Sequence, residues 1–445
     1  MYRYNFYFPG LDVNAHTANV DLWPFNPELK FNHGFVMFHS QYYGTTPANG
    51  NTFTDNAAVV DYIIQTEKPH RYYYYVSLDM SRLKQINLFA GGNTNRKKLE
   101  FRIPSAVKRD VEAGNAKIIL DNCLEGFEDK RFNWNALWEC TQMDPTGFVF
   151  VTGDKSLNTS SSIPTIYRNT WEKKMSYTCR NNSSRAHVKK MIEHISSKRT
   201  RPFYALSLNR LMRAHRIALV KRLTDFALQD KVNYSFGIVT HHGSDAADAN
   251  NWNQQAHNQI VRHTSNIFQI DEQEIHDWLA AHGEHNIAQE PQLNLHINHA
   301  SNFEDAVFQA YAESYFSIVA ETHYETDTVF QSEKIFKPVM MLQPFVAAGE
   351  VGTIREMRNL GYDVFDDIIN HKYDTEQDHR KRIDTLLREV DRLCNFSKSR
   401  WDDIMVKILP RLIKNYEHLK TASIRYNKLH DPLYRGETIM FPSHH

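Results

Sequence analysis

The chain has 445 residues, too many for one ordinary hydrophobic core, and its size favours two domains. Hydrophobic residues make up 41% and charged residues 23%, a balance that excludes a disordered or fibrous protein. Lysine plus arginine and aspartate plus glutamate total 52 each, so no global field draws the chain to nucleic acid or an anionic membrane, and any basic site must be local. The four cysteines, Cys123, Cys140, Cys179 and Cys394, form no C-x-x-C pair, which argues against a zinc ribbon or a disulfide framework and for a reducing compartment. Residues 1–14 lack a basic stretch followed by an apolar one, and no run reaches the roughly 18 to 20 apolar residues that span a bilayer; a cytoplasmic protein without membrane insertion is expected.

Along the chain, Phe35 to Phe38 and Tyr72 to Leu78 have the aromatic, β-prone composition of strands, separated by long Asn/Thr-rich loops. The run Tyr72 to Tyr75 is read as alternating core packing, although such rings also offer stacking surfaces for a sugar or base. Pro104 to Val111 predicts a helix, and the apolar runs Ala116 to Asp121 and Gly147 to Asp154 predict buried parallel strands. Between Lys155 and Thr200 the composition turns to Ser, Thr, Asn, Lys and Arg, and a domain boundary is expected there.

Beyond it the alternation restarts. Phe203 to Leu208 predicts a strand, Met212 to Leu228 a long helix and Tyr234 to Thr240 another strand. Asp271 to His282 predicts a helix with Ile275, Trp278 and Leu279 on its apolar side. Tyr315 to Ala320 is a strand, Glu321 to Gln331 a polar loop, and Ser332 an N-cap opening a short helix to Leu342. Pro344 to Ala348 is the next strand, and the helix from Thr353 to Leu360 ends at Gly361, a left-handed cap. Two charged amphipathic helices, Asp378 to Cys394 and Ser399 to Leu419, follow. The expected organisation is α/β: a domain over 1–190, a Rossmann-like domain over 200–390 and a helical extension over 391–445.

Two charged segments fall where parallel strands end, the place where open α/β sheets bind ligands. The first, Asn209 to Arg216, brings Arg210 and Arg213 to the start of a helix, where cations and backbone N–H groups suit a diphosphate; a solvated basic helix face is the simpler reading. The second is Glu321-Thr322 followed by Ser332-Glu333-Lys334 and Lys337. A carboxylate there suits the vicinal hydroxyls of a ribose, and the adjacent lysine supplies positive charge to a phosphate. The simpler reading is a carboxylate complementing the helix dipole beside a solvated lysine.

The second segment is where a family resemblance appears. The runs S-I-V-A-E-T from Ser317, S-E-K-I-F-K-P from Ser332, Q-P-F-V-A-A-G from Gln343 and L-G-Y-D-V-F from Leu360, then Tyr373-Asp374, resemble the C-terminal region of phage and bacterial GT-B glycosyltransferases. Their core is similar to the donor motif of α-1,3-fucosyltransferases, in which a Glu-Asn pair precedes a Thr-Glu-Lys triplet. Asn209 to Arg216 resembles the basic loop that meets the donor diphosphate in the same families. Thr322 stands for the asparagine and Ser332 for the threonine, so the donor sugar stays open. The N-terminal half shows a loose likeness, chiefly around Ile118 to Gly126.

The resemblance implies two Rossmann-like, doubly wound domains facing a cleft, with acceptor on the N-terminal side and nucleotide sugar on the other. It implies displacement at the anomeric carbon, inverting, without metal or other cofactor, the co-substrate being a UDP- or GDP-linked sugar. The donor residues would be Asn209, Arg210, Arg213, Glu321, Thr322, Ser332, Glu333, Lys334 and Lys337. Candidate bases are Asp121, Glu125 and His16, with His33 behind them. The acceptor would be a hydroxyl on a biopolymer, a hydroxymethylated base in phage DNA being one candidate, in the host cytoplasm if the chain is phage-encoded.

Lys189, Lys190, Lys198, Arg199 and Arg201 offer a local basic surface for DNA, beside the simpler reading of a charged linker. The pairs His282/His285 and His296/His299, and His241-His242, lack an H-E-x-x-H pattern, so no metal site is expected. A different class of protein, a non-catalytic nucleic-acid or nucleotide-sugar binding protein on the same fold, would carry similar sequence signals.

Overall fold

The computed structural model describes residues 6–7, 36–39, 72–77, 103, 105–123, 134–155, 163–167, 169–209, 211–237, 249–283 and 305–429. The chain divides into two compact units, Met1–Thr170 with Ile424–His445, and Trp171–Ser423. Each is built on a parallel sheet, so the α/β class expected from the sequence is the one observed.

In the first unit, strands β1 (Phe6–Tyr7), β2 (Val36–His39) and β3 (Tyr72–Ser77) are followed by helix α1 (Ser105–Glu112), β4 (Ala116–Asn122), α2 (Trp134–Thr141), β5 (Phe148–Thr152) and β6 (Thr165–Tyr167). The six strands lie in chain order and every pair is parallel. Ile118, Ile119 and Leu120 of β4 and Phe148 to Val151 of β5 are all buried, the near-continuous apolar run of strands covered on both faces. Trp134 stacks on Trp138 at 5.6 Å and meets Phe150 edge-on at 5.5 Å, which seats α2 on β5. A Cβ at Gly147 would lie 2.5 Å from Val111 Cγ1, so α1 approaches the entry to β5 as closely as only a glycine allows.

The second unit opens with α3 (Thr170–Arg180) and α4 (Asn182–Ser196). Next come β7 (Phe203–Asn209), α5 (Ala214–Asp225), β8 (Val232–Phe236), α6 (Ala249–Phe268), α7 (Glu272–His282) and α8 (Asp305–Ala312). They are followed by β9 (Ser314–Ala320), α9 (Glu333–Met340), β10 (Phe345–Ala348), α10 (Thr353–Asn359), α11 (His379–Cys394) and α12 (Lys398–Lys420). A last helix, α13 (Ala422–Leu429), straddles the end of this unit. The sheet order is β10-β9-β7-β8, all parallel, so the chain moves outward from β7 to β8 and then returns to the other side of β7. That reversal between β7 and β9 is a topological switch point, and open α/β sheets bind ligands outside the carboxyl ends of the strands at such a point.

The division falls at residue 170, not between 190 and 200. Met175, Cys179, Met191 and Ile195 of α3 and α4 belong to the second unit's core, and of the polar run Asn181 to Ser184 the first three residues are exposed while Ser184 is buried. The helical extension expected from 391 onwards is likewise part of that unit up to Ser423. Trp401, Met405, Ile408, Leu412, Tyr416 and Leu419 are buried, and the Trp401 ring stacks on Tyr315 and Phe316 of β9 at 5.7 and 5.5 Å.

Local signals fix most element ends. Asp271, Ser332, Asp378 and Ser397 each accept a hydrogen bond from a first-turn N–H, and Gly361 takes φ +92° after α10. The helix expected over Met212 to Leu228 starts at Ala214, because Arg213 is extended at φ −140° and ψ 153°. The strand expected over Tyr234 to Thr240 runs from Val232 to Phe236.

Trp401 is fully buried and donates its indole N–H to Leu393 O at 2.9 Å, so Trp401→Ala removes a large side chain and one hydrogen bond to a carbonyl that keeps the Phe396 N–H at 3.3 Å. The expected loss is about 3–5 kcal/mol, read from the urea midpoint. Lys414→Ala, on the exposed side of the same helix, is expected to shift stability by less than about 0.5 kcal/mol.

Candidate functional site

Glu321 follows the last residue of β9 and is completely buried. Its carboxylate accepts from the Thr322 backbone N–H at 3.0 Å, from the Ser332 N–H at 3.3 Å and from the Ser332 hydroxyl at 2.5 Å. Its own N–H donates to Ala348 O at 2.9 Å, carrying the β9–β10 pairing past the strand end. Burial pushes the Glu321 carboxyl above its ordinary value, against the pull of Lys334 and the Ser332 hydroxyl.

Ser332 caps α9, its oxygen accepting from the Lys334 backbone N–H at 3.3 Å. The Lys334 ammonium donates to Thr322 Oγ1 at 3.1 Å, Ser332 Oγ at 3.4 Å and Glu333 Oε1 at 2.9 Å. An ammonium has three donors, and all three are engaged. Burial would raise the Glu333 carboxyl, but Lys334, Lys337 and the Lys334 hydrogen bond outweigh it and hold the group at about 2. Tyr311 of α8 and Lys174 of α3 also feel the Glu333 charge.

The start of α5 closes the other side. Arg213 occupies the N-cap position with no side-chain cap, and its guanidinium donates to Thr322 O at 2.6 Å. Arg216 is buried and turns inward, donating to Leu211 O at 3.1 Å and Glu321 O at 3.3 Å. His215 Nε2 lies 2.9 Å from Glu321 O, and a carbonyl can only accept, so that nitrogen carries the proton. Burial, then Arg216 and Arg213, push His215 well below 6.5, so the ring is neutral at physiological pH. It stacks on Tyr324 at 5.4 Å with planes 10° apart.

The structure therefore brings Arg213, Glu321, Thr322, Ser332, Glu333 and Lys334 together, with Lys337 close enough to act on Glu333. Asn209 ends β7, fully buried, with its amide nitrogen on Ser207 Oγ at 3.0 Å and its amide oxygen unpartnered. Asp121 lies one residue from the end of β4, opposite Ser77 and Val151. Arg210, Glu125, His16 and His33 fall outside the described residues. His215 lies inside the basic segment Asn209 to Arg216, but nothing in the sequence links it to Tyr324, a ring 109 positions away.

Of the basic stretch considered for DNA, Arg201 is buried with its guanidinium on Ser314 O at 2.5 Å, and Lys198 pairs with Asp403 at 2.6 Å. Lys189, Lys190 and Arg199 are exposed. Among the described residues, no group of three or more His, Cys, Asp or Glu is arranged to hold a metal ion, and no helix is long and apolar enough to cross a membrane.

No protein-family model and no curated protein sequence matches the chain. Among solved structures it is similar to the Candida albicans trehalose-6-phosphate phosphatase N-terminal domain, at 8% identity and a TM-score of 0.37, over 82% of this chain and 73% of that one. It is also similar to the α,α-trehalose 6-phosphate synthase of Burkholderia multivorans, at 10% identity and a TM-score of 0.33, over 83% and 73% of the two chains. A third is the α,α-trehalose-phosphate synthase (UDP-forming) of Burkholderia vietnamiensis, at 10% identity and a TM-score of 0.35, over 83% and 75%.

An ionised, buried Glu333 ties stability to acid pH. Its folded value of about 2 lies below the ordinary 4.5, so its contribution is complete above about pH 4.5 and is lost as pH falls towards 2. Glu333→Gln is expected to melt below the wild type at pH 7 and to close that gap between pH 4.5 and 2. Thermal melts across the range check this, and a gap that stays constant would contradict the assignment.

Proposed function

We propose that this chain is a nucleotide-sugar-dependent glycosyltransferase of the GT-B architecture, and that the second unit holds the donor at its switch point. The observation that carries the reading is the convergence there of Lys334 and Arg213, an α5 N-terminus without a side-chain cap, and the ionised Glu333. The motif resemblance supports it from the sequence side.

In this reading Glu333 accepts hydrogen bonds from the ribose hydroxyls, and Lys334, Arg213 and Arg210 meet the diphosphate, with Lys337, Asn209, Thr322 and Ser332 around them. The acceptor oxygen attacks the anomeric carbon as the bond to the diphosphate oxygen breaks. The electron pair leaves on the nucleoside diphosphate, where fixed cations stabilise the growing charge without a metal. The acceptor proton goes to a base for which Asp121, Glu125 and His16 are the candidates. The donor is a UDP- or GDP-linked sugar and the acceptor a hydroxyl on a biopolymer, a hydroxymethylated DNA base among the options. Transfer is inverting and takes place in the cytoplasm.

A thermal-shift series with UDP, GDP, CDP and their sugars tests the reading. One nucleotide family at about 100 times its Kd is expected to stabilise the protein by about 2.7 kcal/mol. Lys334→Ala is expected to weaken that ligand at least about tenfold, or about 1.4 kcal/mol. Release of nucleoside diphosphate from the stabilising donor separates an enzyme from a binding protein. No stabilisation by any nucleotide at millimolar concentration would sink the reading.

A further inference from the structure

We infer that Glu321 does not touch the donor but is a positioning residue, aiming the Lys334 ammonium through Ser332 and Thr322. The aim matters to donor binding only on the reading above; the positioning itself is a property of the chain alone. The argument is one of proton accounting around a single hydroxyl. Ser332 Oγ has one proton and two lone pairs. Its proton goes to Glu321 Oε2, and its lone pairs receive the Lys334 backbone N–H at 3.3 Å and the Lys334 ammonium at 3.4 Å.

A carboxylate at position 321 can only accept, so it fixes the direction of the Ser332 hydroxyl and leaves both lone pairs to Lys334. Thr322, which takes another of the three ammonium protons at 3.1 Å, is held by the same carboxylate through its backbone N–H at 3.0 Å. Two of the three acceptors that set the Lys334 head group are therefore placed by Glu321, and the third, Glu333, adjoins Lys334 in sequence. Glu321 itself is completely buried with its carboxylate facing these donors, which leaves it no reach to solvent.

Glu321→Gln is nearly isosteric but brings a donor. An amide N–H directed at Ser332 Oγ competes with Lys334 for the same lone pairs, so the ammonium is expected to lose its fixed place. The test is the rate of reductive methylation of Lys334 by formaldehyde and borane, followed by peptide mass spectrometry on the full chain, with exposed Lys407 and Lys414 as internal references. Glu321→Gln is expected to speed labelling of Lys334 several-fold at unchanged reference rates, and to weaken stabilisation by the best nucleoside diphosphate at least tenfold. Ser332→Ala, which removes the relay hydroxyl and keeps the Glu321 carboxylate, is expected to do the same and covers the case in which Glu321→Gln does not fold. Labelling of Lys334 at the wild-type rate in the folded variants would overturn the inference. Faster labelling in a protein that binds no nucleoside diphosphate would uphold the positioning role and defeat the donor reading.

Discussion

The strand ends of the second unit are organised around one expense: a carboxylate, Glu321, taken wholly out of water just past β9, one of the sheet's two inner strands. An unpaired buried carboxylate costs several kcal/mol, so the surroundings must bring donors to it. They come from two places in the chain, the backbone just past β9 and the cap of α9, and each donor fixes the element that carries it. The backbone of the same residue does the rest. Its N–H binds β10, and its carbonyl receives His215 and Arg216 from α5. Four elements are thus referenced to a single residue, which is why the site can be rigid although it is built from strand ends and loops.

Two carboxylates twelve positions apart end in opposite electrostatic states. Glu321 meets neutral donors under complete burial, and its carboxyl is raised; Glu333 is nearly as buried but lies beside two lysines, and its carboxyl is lowered to about 2. Divergence of this kind separates roles within one site. The lowered group is an anion able to accept ligand hydroxyls. The raised one belongs to the scaffold, and its charge becomes a cost to the fold as pH rises. The Lys334 head group between them is already saturated with hydrogen bonds, so a phosphate would have to displace one acceptor. Displacing Glu333 would release its carboxylate at the same moment for a second part of the ligand.

Sequence reading recovered the elements whose signals are local. The apolar runs of β4, β5, β9 and β10, the Ser332 cap and the Gly361 left-handed cap follow from a few adjacent residues each. Helices α3 and α4 did not, because polar residues interrupt the stripe of Met175, Cys179, Met191 and Ile195, with Ser176, Thr178 and Ser184 themselves buried beside it. Helix α6 has three asparagines among its first five residues, Asn250, Asn251 and Asn253, which favour turns and hide the start of the helix in the sequence. At the site, sequence located the charges but not their directions. That Glu321 and Arg216 turn inward depends on where β10, α5 and α9 pack, and that His215 faces Tyr324 depends on the β7–β9 adjacency. Those are tertiary facts with no local trace.

The two helices that begin beside these strand ends are finished differently. Helix α9 has a serine cap and an acidic first turn, the arrangement that stabilises an N-terminus internally. Helix α5 has an arginine at the cap position, no side-chain cap and no acidic residue in its first turn. An ordinary cap is worth about 1 kcal/mol, and a cation at the positive end of a helix dipole is unfavourable by about 0.3–1 kcal/mol. Ser, Thr or Asp would cap the helix but could not make the hydrogen bond that the Arg213 guanidinium donates to Thr322 O at 2.6 Å. An arginine is instead favourable when an anion occupies the end of the helix, since the same cation and the same N–H groups then bind one ligand together. The α5 terminus and the α9 lysine are joined through one residue, Thr322, which accepts from Arg213 with its carbonyl and from Lys334 with its hydroxyl.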